Sequence, residues 1–380
     1  MNAAAEAMSA TRESERMVRE GARGFVEAHH SMKRVRQMRA MESGYSREVW
    51  KALAEAGWLG LRVPEAHGGA GLGMPEVAAL CDVFGEALLP EPYVACGLIP
   101  SLLLAGGAAP LRDRLLPGVL DGSRVFTLAW QEAPFHFEAD RCEAALTGSG
   151  DPLQLNGAKR FVASAVGADA YVVTCLRAGK LVLVHVPASA TGIRLSAERQ
   201  MDGSICADVT FRDVAVTAGD ILAEGDAARD LVKTVVAEAT LAVCALLTAV
   251  ANRALRISVD YMGKRVQFGK LIGSFQALQH RAVDLAGRCA LAGAAMRRAI
   301  EEHDAGSARA ASDLSAAKAI CSRTGTLVTR TAIQLHGGIG YTDECDIGLY
   351  LKSALRLAGY LGTAHAHRAR FMALKPSVSD

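Results

Sequence analysis

The spacing of apolar and polar residues divides the chain into three successive zones. From residue 12 to about 123 the spacing is helical, and Ser46 is the predicted N-cap of a helix that Gly57 stops. Between residue 124 and about 225 the period falls toward two, with β-rich runs at 125–130, 171–176, 181–186 and 209–211. After residue 226 helical spacing returns, in long segments at 230–259, 274–303 and 308–335 and a shorter one after Asp346.

This order of zones predicts an α+β fold with three domains. We expect an N-terminal helical domain over residues 1–123, a middle β domain over 124–225 and a C-terminal helical bundle over 226–380. The segment 232–255 is apolar on nearly every face, so several helices must surround it, and a second subunit is one source of them. Its most apolar part, 239–251, is shorter than the roughly 20 residues that a bilayer span needs, which predicts a buried helix.

Composition narrows the class of protein further. The 380 residues are 51% hydrophobic and 22% charged, which is typical of a globular chain with a large core. A formal charge of +2 gives no field that would recruit nucleic acid or a membrane surface. Nine cysteines without a CxxC pair, and a start without an apolar signal segment, predict a reduced cytoplasmic protein with no metal site.

Two motifs in the last zone carry recognisable chemistry. The first runs from Arg265 through Gln267 and Phe268 to a glycine turn; a guanidinium, an amide and an aromatic ring can neutralise a diphosphate, hydrogen-bond it and pack an adenine. The second places Gly337 and Gly338 directly after a long helix, where a ligand can approach the backbone closely. Taken singly, the glycines also fit a plain helix C-cap and Arg265 a surface salt bridge.

Together these motifs resemble the acyl-CoA dehydrogenase family. The segments 57–65, 68–71 and 273–281 also match that family, so the resemblance covers nearly the whole chain. It implies an N-terminal helical domain, a β-barrel-like middle domain and a four-helix bundle. It also implies α,β-dehydrogenation of an acyl-CoA thioester with FAD as cofactor and an electron-transfer flavoprotein as acceptor. By resemblance, the FAD contacts are Arg265, Gln267, Phe268, Phe275, Gln276, Gln334, Gly337 and Gly338, several of which usually reach into a neighbouring subunit's site.

The part of the family pattern that meets the flavin ring is altered here. Where members carry Thr-Glu-Pro, this chain reads Trp130-Gln131-Glu132-Ala133, followed by the unrelated run 134–137. A second ring-binding element, usually Trp-Ile-Thr or Trp-Ile-Ser, reads Phe161-Val162-Ala163-Ser164. Phe161 keeps the apolar shape, and the hydroxyl moves to Ser164 or is lost.

The catalytic base of the family is also missing. Most members abstract the α-proton with the glutamate of Tyr-Glu-Gly-Thr, and here that position is Leu361, which cannot accept a proton. The Leu361 backbone N–H remains able to polarise a thioester carbonyl. Thr363, two residues on, is expected to keep its family contact with the flavin or the diphosphate.

Three other side chains are candidates for the base. Glu238 lies one position from the base of a second branch of the family, about 100° of helix rotation away; the alternative is a paired or solvated glutamate. His365 and His367 follow Leu361, and their spacing sends at most one of them inward. Solvated surface histidines are the favoured interpretation of both.

Three functions follow. The chain is an acyl-CoA dehydrogenase with a displaced base, or it is a non-catalytic subunit that donates FAD-binding residues to a paralogous catalytic partner. The second arrangement resembles the mixed tetramers of steroid-degrading family members, and either arrangement makes the protein a homo- or hetero-oligomer, dimer or tetramer. The third hypothesis is a different flavin-dependent reaction on the same fold. Small and branched residues at 88–94 and 237–243 hint at a bulky acyl group, as in fatty acid or steroid catabolism.

Overall fold

The computed structural model describes residues 2–134 and 137–374, with side chains from residue 11 onward. The chain forms two compact units. The first comprises residues 1–35, 74–89 and 240–380, and the second comprises residues 36–73 and 90–239. The three sequence zones therefore describe the order of element types, and their boundaries stay a prediction.

The first unit is helical. It contains α1 (Asn2–His29), α4 (Met74–Ala87), most of α7 (Asp226–Met262), α8 (Gln276–Asp304), α9 (Ala310–His336), α10 (Ile347–Gly359) and α11 (Ala364–Leu374). Helix α9 is central to the predicted bundle, because α8, α10 and α11 all pack against it. A two-stranded hairpin, β9 (Val266–Gln267) and β10 (Lys270–Leu271), connects α7 to α8.

The second unit is built on a mixed eight-stranded sheet. Its strands are β1 (Phe126–Ala129), β2 (Ala145–Thr147), β3 (Leu153–Ala163), β4 (Ala170–Arg177), β5 (Lys180–Pro187), β6 (Ile193–Arg199), β7 (Ile205–Val216) and β8 (Ile221–Glu224). The strand order is β6-β7-β3-β2-β4-β5-β8, with β1 paired to β4. Shorter helices complete the outline of the chain: α2 (Met32–Met38), α3 (Arg47–Glu55), α5 (Ile99–Ala105) and α6 (Ala109–Leu120).

The long helices agree with the hydrophobic spacing, whereas four of the eight strands of the main sheet were not predicted from it. Each end of α7, α8 and α9 lies within four residues of its predicted position, the largest difference being residue 226 against 230. Strand β3 was missed because its pairing with β7 shifts register twice, between residues 155 and 157 and between 159 and 162. Each shift interrupts the alternation that identifies a strand. Strand β6 was missed because it is an edge strand with mostly exposed side chains.

The apolar helix α7 is buried, as predicted. Among the described helices it is the one long and apolar enough to cross a membrane, and most of its apolar window is enclosed by the rest of the chain. Its apolar surface therefore finds partners within one chain. The argument from this helix for a second subunit is thereby removed, and any such argument must come from another surface.

Close packing between α4 and α7 depends on one glycine. A Cβ added at Gly85 would lie 2.8 Å from the Leu246 carbonyl oxygen and 2.8 Å from the Ala249 Cβ. Real Cβ atoms do not approach backbone this closely, so the two helices meet at this distance only because Gly85 has no side chain.

We predict that Gly85→Ala lowers the free energy of unfolding by about 1–3 kcal/mol, because the helices must separate to admit the methyl group. The control is Gly24→Ala within α1, where a Cβ meets nothing within 4 Å. The control is expected to be neutral or stabilising by up to about 1 kcal/mol, since alanine is the better helix former. Urea titration of both variants makes the comparison; equal effects would contradict the packing argument.

Candidate active site and cofactor-binding motifs

The first predicted FAD motif forms the hairpin between α7 and α8. Phe268 and Gly269 occupy its tip, with φ angles of 53° and 76°. A two-residue hairpin loop favours positive φ, which glycine adopts freely but phenylalanine adopts only under strain. The Phe268 ring is 90% exposed and meets the Phe275 ring edge to face, with centroids 6.2 Å apart. A strained backbone thus presents an aromatic ring to the exterior.

The second motif follows α9. Gly337 caps this helix with a φ of 66°, so the helix C-cap considered from the sequence is indeed present. A Cβ added at Gly337 or Gly338 meets nothing within 4 Å. The turn is therefore open on its outer side, and a cap alone does not explain the second glycine.

The two motifs meet at one end of the helical unit. Tyr261, at the end of α7, stacks on His336, at the end of α9, with ring centroids 4.4 Å apart. Beneath the hairpin, Met262, Ile272 and Leu335 form a buried apolar cluster. The residues predicted to contact FAD through these motifs are mostly exposed around this cluster: Arg265, Gln267, Phe268, Gln276, Gln334, Gly337 and Gly338, with Phe275 half-buried. Arg265 has no ion pair with any described residue, so the salt-bridge alternative finds no support.

The turn that carries Leu361 joins α10 to α11. Leu361 is buried, with 5% of its surface exposed, and its φ is 57°. Its carbonyl oxygen lies 2.9 Å from His367 Nε2, which donates to it. The Thr363 hydroxyl accepts a hydrogen bond of 3.2 Å from the Ala366 N–H and so caps α11. In this bond the hydroxyl is the acceptor, so its capping role does not test the predicted flavin contact of Thr363, which stays a prediction.

Lys318, on α9, is the residue of this region that sequence reasoning missed. Its ammonium group is fully buried and donates to the carbonyl oxygen of Gly362 at 2.8 Å. Further acceptors are the carbonyls of Leu357 at 3.3 Å and Ala358 at 3.2 Å, and the Ser322 hydroxyl at 3.1 Å. A signal was present in the sequence: this lysine interrupts the buried stripe formed by Leu314, Ala317 and Cys321.

Burial determines the charge state of the two side chains that hold this turn. It lowers the pKa of Lys318 to about 8, with the Cys244 and Cys321 thiols acting in the opposite direction. Burial also lowers the pKa of His367 to about 4, opposed by the hydrogen bond to Leu361 and reinforced by the charge of Lys318. At neutral pH, His367 is therefore uncharged.

The expectation of solvated histidines is wrong for His367, which is only 5% exposed, whereas His365 is exposed. The spacing argument that at most one of the two points inward is confirmed. His367 turns inward because the Thr363 cap starts α11 at a point that directs residue 367 toward α9.

Glu238 is paired rather than free. It is buried, with 4% exposed, and both of its carboxylate oxygens accept from Arg62: Nε to Oε2 at 3.1 Å and Nη2 to Oε1 at 3.0 Å. This bidentate geometry matches a guanidinium to a carboxylate and holds the glutamate in one orientation. The structure thus has the paired glutamate that was the alternative to a catalytic base.

The segment that replaces Thr-Glu-Pro is fastened to the sheet. Glu132 accepts a hydrogen bond of 2.6 Å from the fully buried Lys159 on β3, and a further one of 2.9 Å from the Ala144 N–H. Burial alone would raise the pKa of Glu132, but the hydrogen bond and charge of Lys159 outweigh it and lower that pKa. The Phe135 and His136 positions that continue the segment lie outside the described residues.

The second ring-binding element ends β3 in an irregular conformation. Phe161 and Ser164 both have a φ of 54°. The Phe161 ring is 38% exposed, with the Arg160 guanidinium 5.5 Å from its centroid. Ser164 is buried, and its hydroxyl acts to lower the pKa of the Cys96 thiol, against the larger effect of burial, which raises it. Phe161 therefore remains available to a flavin ring, whereas the geometry does not favour the same role for the Ser164 hydroxyl.

Comparison with known proteins identifies the family. The chain matches the family models described as "Acyl-CoA dehydrogenase, N-terminal domain" over residues 12–123 and "Acyl-CoA dehydrogenase, C-terminal domain" over residues 218–373. This chain belongs to the acyl-CoA dehydrogenase family, oxidoreductases that act on CH–CH groups and are generally FAD-dependent.

Relatives and solved structures agree along nearly the full length. Acyl-CoA dehydrogenase FadE28 of Mycobacterium tuberculosis is 32% identical over 338 residues, covering 87% of this chain and 93% of the relative. Acyl-CoA dehydrogenase IpdE2 of Mycolicibacterium smegmatis is 29% identical, covering 92% and 95%. A variant of the Tcur3481-Tcur3483 steroid ACAD superposes with a TM-score of 0.86 at 30% identity, covering 96% of this chain and 98% of that one. The expected fold is confirmed.

We predict a coupling free energy of about 1–3 kcal/mol between Arg62 and Glu238, since each group left alone would be partly buried without its partner. The measurement is a double-mutant cycle of Arg62→Met, Glu238→Gln and the double variant, followed by urea unfolding. The exposed pair Arg160–Asp208 is the matched control, with about 0.2–1 kcal/mol expected. A coupling free energy near zero would contradict the structural role assigned to the Arg62–Glu238 pair.

We predict that acid destabilises the protein through His367. The unfolded chain binds a proton near pH 6.5 but the folded chain only near pH 4, so this contribution is complete above pH 6.5 and falls as the pH drops toward 4. The full loss is about 3 kcal/mol. His367→Gln, which keeps a donor but does not titrate, should flatten the unfolding free energy over this interval. The exposed neighbour His365→Gln should leave the slope as it is, and a slope unchanged in both variants would contradict the assignment.

Proposed function

We propose that this chain is a non-catalytic subunit of an FAD-dependent acyl-CoA dehydrogenase, paired with a paralogous subunit that carries the base. The observation that carries the proposal is the state of the usual base position and of the candidates that could replace it. Leu361 has no proton acceptor, and the Glu238 carboxylate is bound on both oxygens by Arg62. His365 is exposed to solvent, and His367 donates its Nε2 proton to a carbonyl. A general base must be within reach of the substrate with its lone pair directed at the proton.

The motifs for the adenosine half of FAD fit that group. Arg265 supplies a charge with no ion pair among the described residues, Phe268 supplies an exposed ring, and Gly337 has open space where a side chain would stand. Gln267 and Gln334 add amide donors on the same end of the helical unit. When bound, the flavin of FAD accepts the β-hydride of the substrate. The residues of this chain would bind and orient its diphosphate and adenine.

The outward direction of these groups supports a site completed with another chain. A phenylalanine that is 90% exposed at positive φ costs backbone strain of about 1–3 kcal/mol, and its packing within its own chain is limited to the edge-to-face contact with Phe275. Burial against a partner or its cofactor would offset that cost. Among the similar structures, one is titled the ChsE4-ChsE5 complex of Mycobacterium tuberculosis, and another carries the paired name Tcur3481-Tcur3483. We therefore propose a heteromer, a tetramer by analogy with the family.

The proposal extends to substrate and acceptor. One similar structure is named a steroid ACAD, and a relative 28% identical over 333 residues is named cyclohex-1-ene-1-carbonyl-CoA dehydrogenase of Geobacter metallireducens. These names support a cyclic or otherwise bulky acyl group over a short straight chain. An electron-transfer flavoprotein as acceptor and a cytoplasmic location rest on the resemblance and on the unpaired cysteines.

A self-sufficient dehydrogenase with Glu238 as base is the second candidate. It is favoured by one observation, the burial of the Glu238 carboxylate on α7, since a dry carboxylate is what proton abstraction needs. Arg62 argues against it, because a bound guanidinium weakens a carboxylate as a base. Glu238→Gln distinguishes the two: it abolishes flavin reduction under the second candidate and leaves it intact under the first.

We predict that the chain purified alone lacks a full complement of FAD and is not reduced by acyl-CoA. Co-expression with a paralogue that has a glutamate at the position of Leu361 should give a complex with a flavin spectrum that an acyl-CoA bleaches. Within that complex, Phe268→Ala should weaken FAD binding by about five- to a hundredfold, as expected for the loss of a stacked ring. The control is Met372→Ala, a similarly exposed apolar side chain on α11.

Two outcomes would overturn the proposal. The first is a chain that binds FAD stoichiometrically by itself and is reduced by an acyl-CoA. The second is a complex in which Phe268→Ala and Met372→Ala hold FAD equally well, because the hairpin would then not contribute to the cofactor site.

A further inference from the structure

Two buried donors from different helices hold the backbone carbonyls of Leu361 and Gly362. Lys318 Nζ, from α9, binds the Gly362 carbonyl oxygen at 2.8 Å, and His367 Nε2, from α11, binds the Leu361 carbonyl oxygen at 2.9 Å. These carbonyls belong to consecutive residues. Fixing both of them restrains Gly362, whose φ is 111°. The Leu361 carbonyl is also held relative to the end of α10, where the Tyr360 N–H binds the Arg356 carbonyl, and this restrains the left-handed φ of 57° at Leu361, which a leucine does not adopt without support.

Lys318 also closes the end of α10. The last carbonyls of a helix lack internal partners and carry the negative end of the helix dipole. Lys318 Nζ binds two of them, at Leu357 and Ala358, within 3.3 Å. One ammonium group therefore joins the C-terminus of α10 to the turn that follows it. The turn cannot shift without breaking the cap of the helix, and the helix cannot fray without releasing the turn.

The same arrangement leaves one donor of the turn unused. No hydrogen bond among the described residues has the Leu361 N–H as its donor, although Leu361 is buried. This N–H is therefore a donor that an acceptor from outside the described chain can use. Under the proposed function, that acceptor is the thioester carbonyl of an acyl-CoA.

We propose that Lys318 is a positioning residue: with His367, it holds the Leu361 turn in one conformation and keeps the Leu361 N–H available to a thioester carbonyl. The use of the N–H by a thioester rests on the proposed function, whereas the positioning by Lys318 does not. In this arrangement, the chain retains the binding half of a dehydrogenase site after the loss of its base.

The ammonium group is stabilised by dipoles alone. None of the described carboxylates forms an ion pair with Lys318, and its four acceptors are all neutral oxygens. An ammonium offers three donors that rotate among these acceptors, whereas a neutral amine offers only two. The clamp should therefore weaken when Lys318 loses its proton, near its pKa of about 8.

The groups that share this environment are few. Cys244 from α7 and Cys321 from α9 act on the Lys318 charge, and the interaction with the Cys244 thiol, together with burial, raises the pKa of Cys321. From α11, His367 is already neutral above its pKa of about 4, and Arg370 acts on it together with Lys318. Carbonyls of α10 and the Ser322 hydroxyl complete the surroundings. Of Lys318, Cys321 and His367, Lys318 is the group whose pKa lies just above neutral pH.

Hydrogen–deuterium exchange followed by mass spectrometry tests the positioning role. The amides of Tyr360, Gly362 and His367 report on the turn, because each is bonded within it. In Lys318→Met, which keeps the stem without the charge, exchange of these amides should rise about ten- to a hundredfold. The control is Thr329→Ala, which removes another fully buried polar side chain from α9 away from the turn. Exchange in the sheet of the second unit should stay unchanged in both variants.

The wild-type protein provides a second measurement. After correction for the intrinsic pH dependence of exchange, an opening of the turn that removes the carbonyl acceptors but leaves Lys318 buried should increase as the pH rises to about 8, and this step should be absent from Lys318→Met. The free energy of global unfolding should change in the opposite direction. Unfolding returns the pKa of Lys318 from about 8 to 10.5, so the contribution of Lys318 to stability rises as the pH increases between these two values. Faster exchange of the turn amides without a loss of global unfolding free energy would distinguish a local clamp from a general contribution to stability.

Three results would overturn the proposal. They are turn exchange in Lys318→Met equal to that in Thr329→Ala, a rise spread equally over the sheet, or a flat wild-type profile across pH 8. Should Lys318→Met fail to fold, the wild-type profile decides alone. None of these measurements uses FAD, acyl-CoA or a partner chain, so the proposed function and the clamp can fail independently.

Discussion

The buried ammonium group of Lys318 is the constraint on which the end of the helical bundle depends. It lies on α9, the helix against which α8, α10 and α11 pack, and its acceptors lie at the end of α10 and in the turn before α11. Desolvating a charge without a counter-ion is costly, and here only convergent carbonyl dipoles compensate. A lysine in such a place is retained because no apolar residue could satisfy three carbonyls at once. The conformation at Leu361 follows from it, since the turn is fixed through its carbonyls and not through the leucine side chain.

Three of the described side chains that could take a proton are engaged in holding the fold. Arg62 binds Glu238, Lys159 binds Glu132, and His367 is directed at a backbone carbonyl. The outward-facing groups, in contrast, are those suited to an adenosine diphosphate: Arg265, Phe268 and the open turn at Gly337. Under the proposed function, the molecule keeps the recognition chemistry of the acyl-CoA dehydrogenase family on its exterior, while Glu238, Glu132 and His367 serve the fold. This division is what distinguishes a donor of binding residues from an independent catalyst.

Sequence reasoning succeeded where the signal is local and periodic. The spacing of apolar residues placed α7, α8 and α9, and the glycine-containing motifs marked the turn between α7 and α8 and the end of α9. It failed where a contact joins distant segments. Nothing in the letters around Glu238 reveals that its partner is Arg62, 176 positions away. Likewise, His367 looked solvated because its burial depends on a helix cap at Thr363 and on α9. Strand β3 was missed because register shifts hide its alternation, and Lys318 because a single charge in an apolar stripe is easily taken for a surface lysine.

The exposed hairpin tip affects how an unassembled subunit is treated in a cell. A free subunit would display a strained phenylalanine, flanked by the exposed Val266 and Leu271, at the same end as the open glycine turn. Exposed apolar groups of this kind are what quality-control chaperones and proteases bind in unassembled proteins. If the tip is completed only by another chain and its cofactor, surplus subunits would be degraded, and synthesis of the two chains would have to be matched in amount. The hairpin would then limit the number of subunits to those that find a partner, in addition to its part in holding the cofactor.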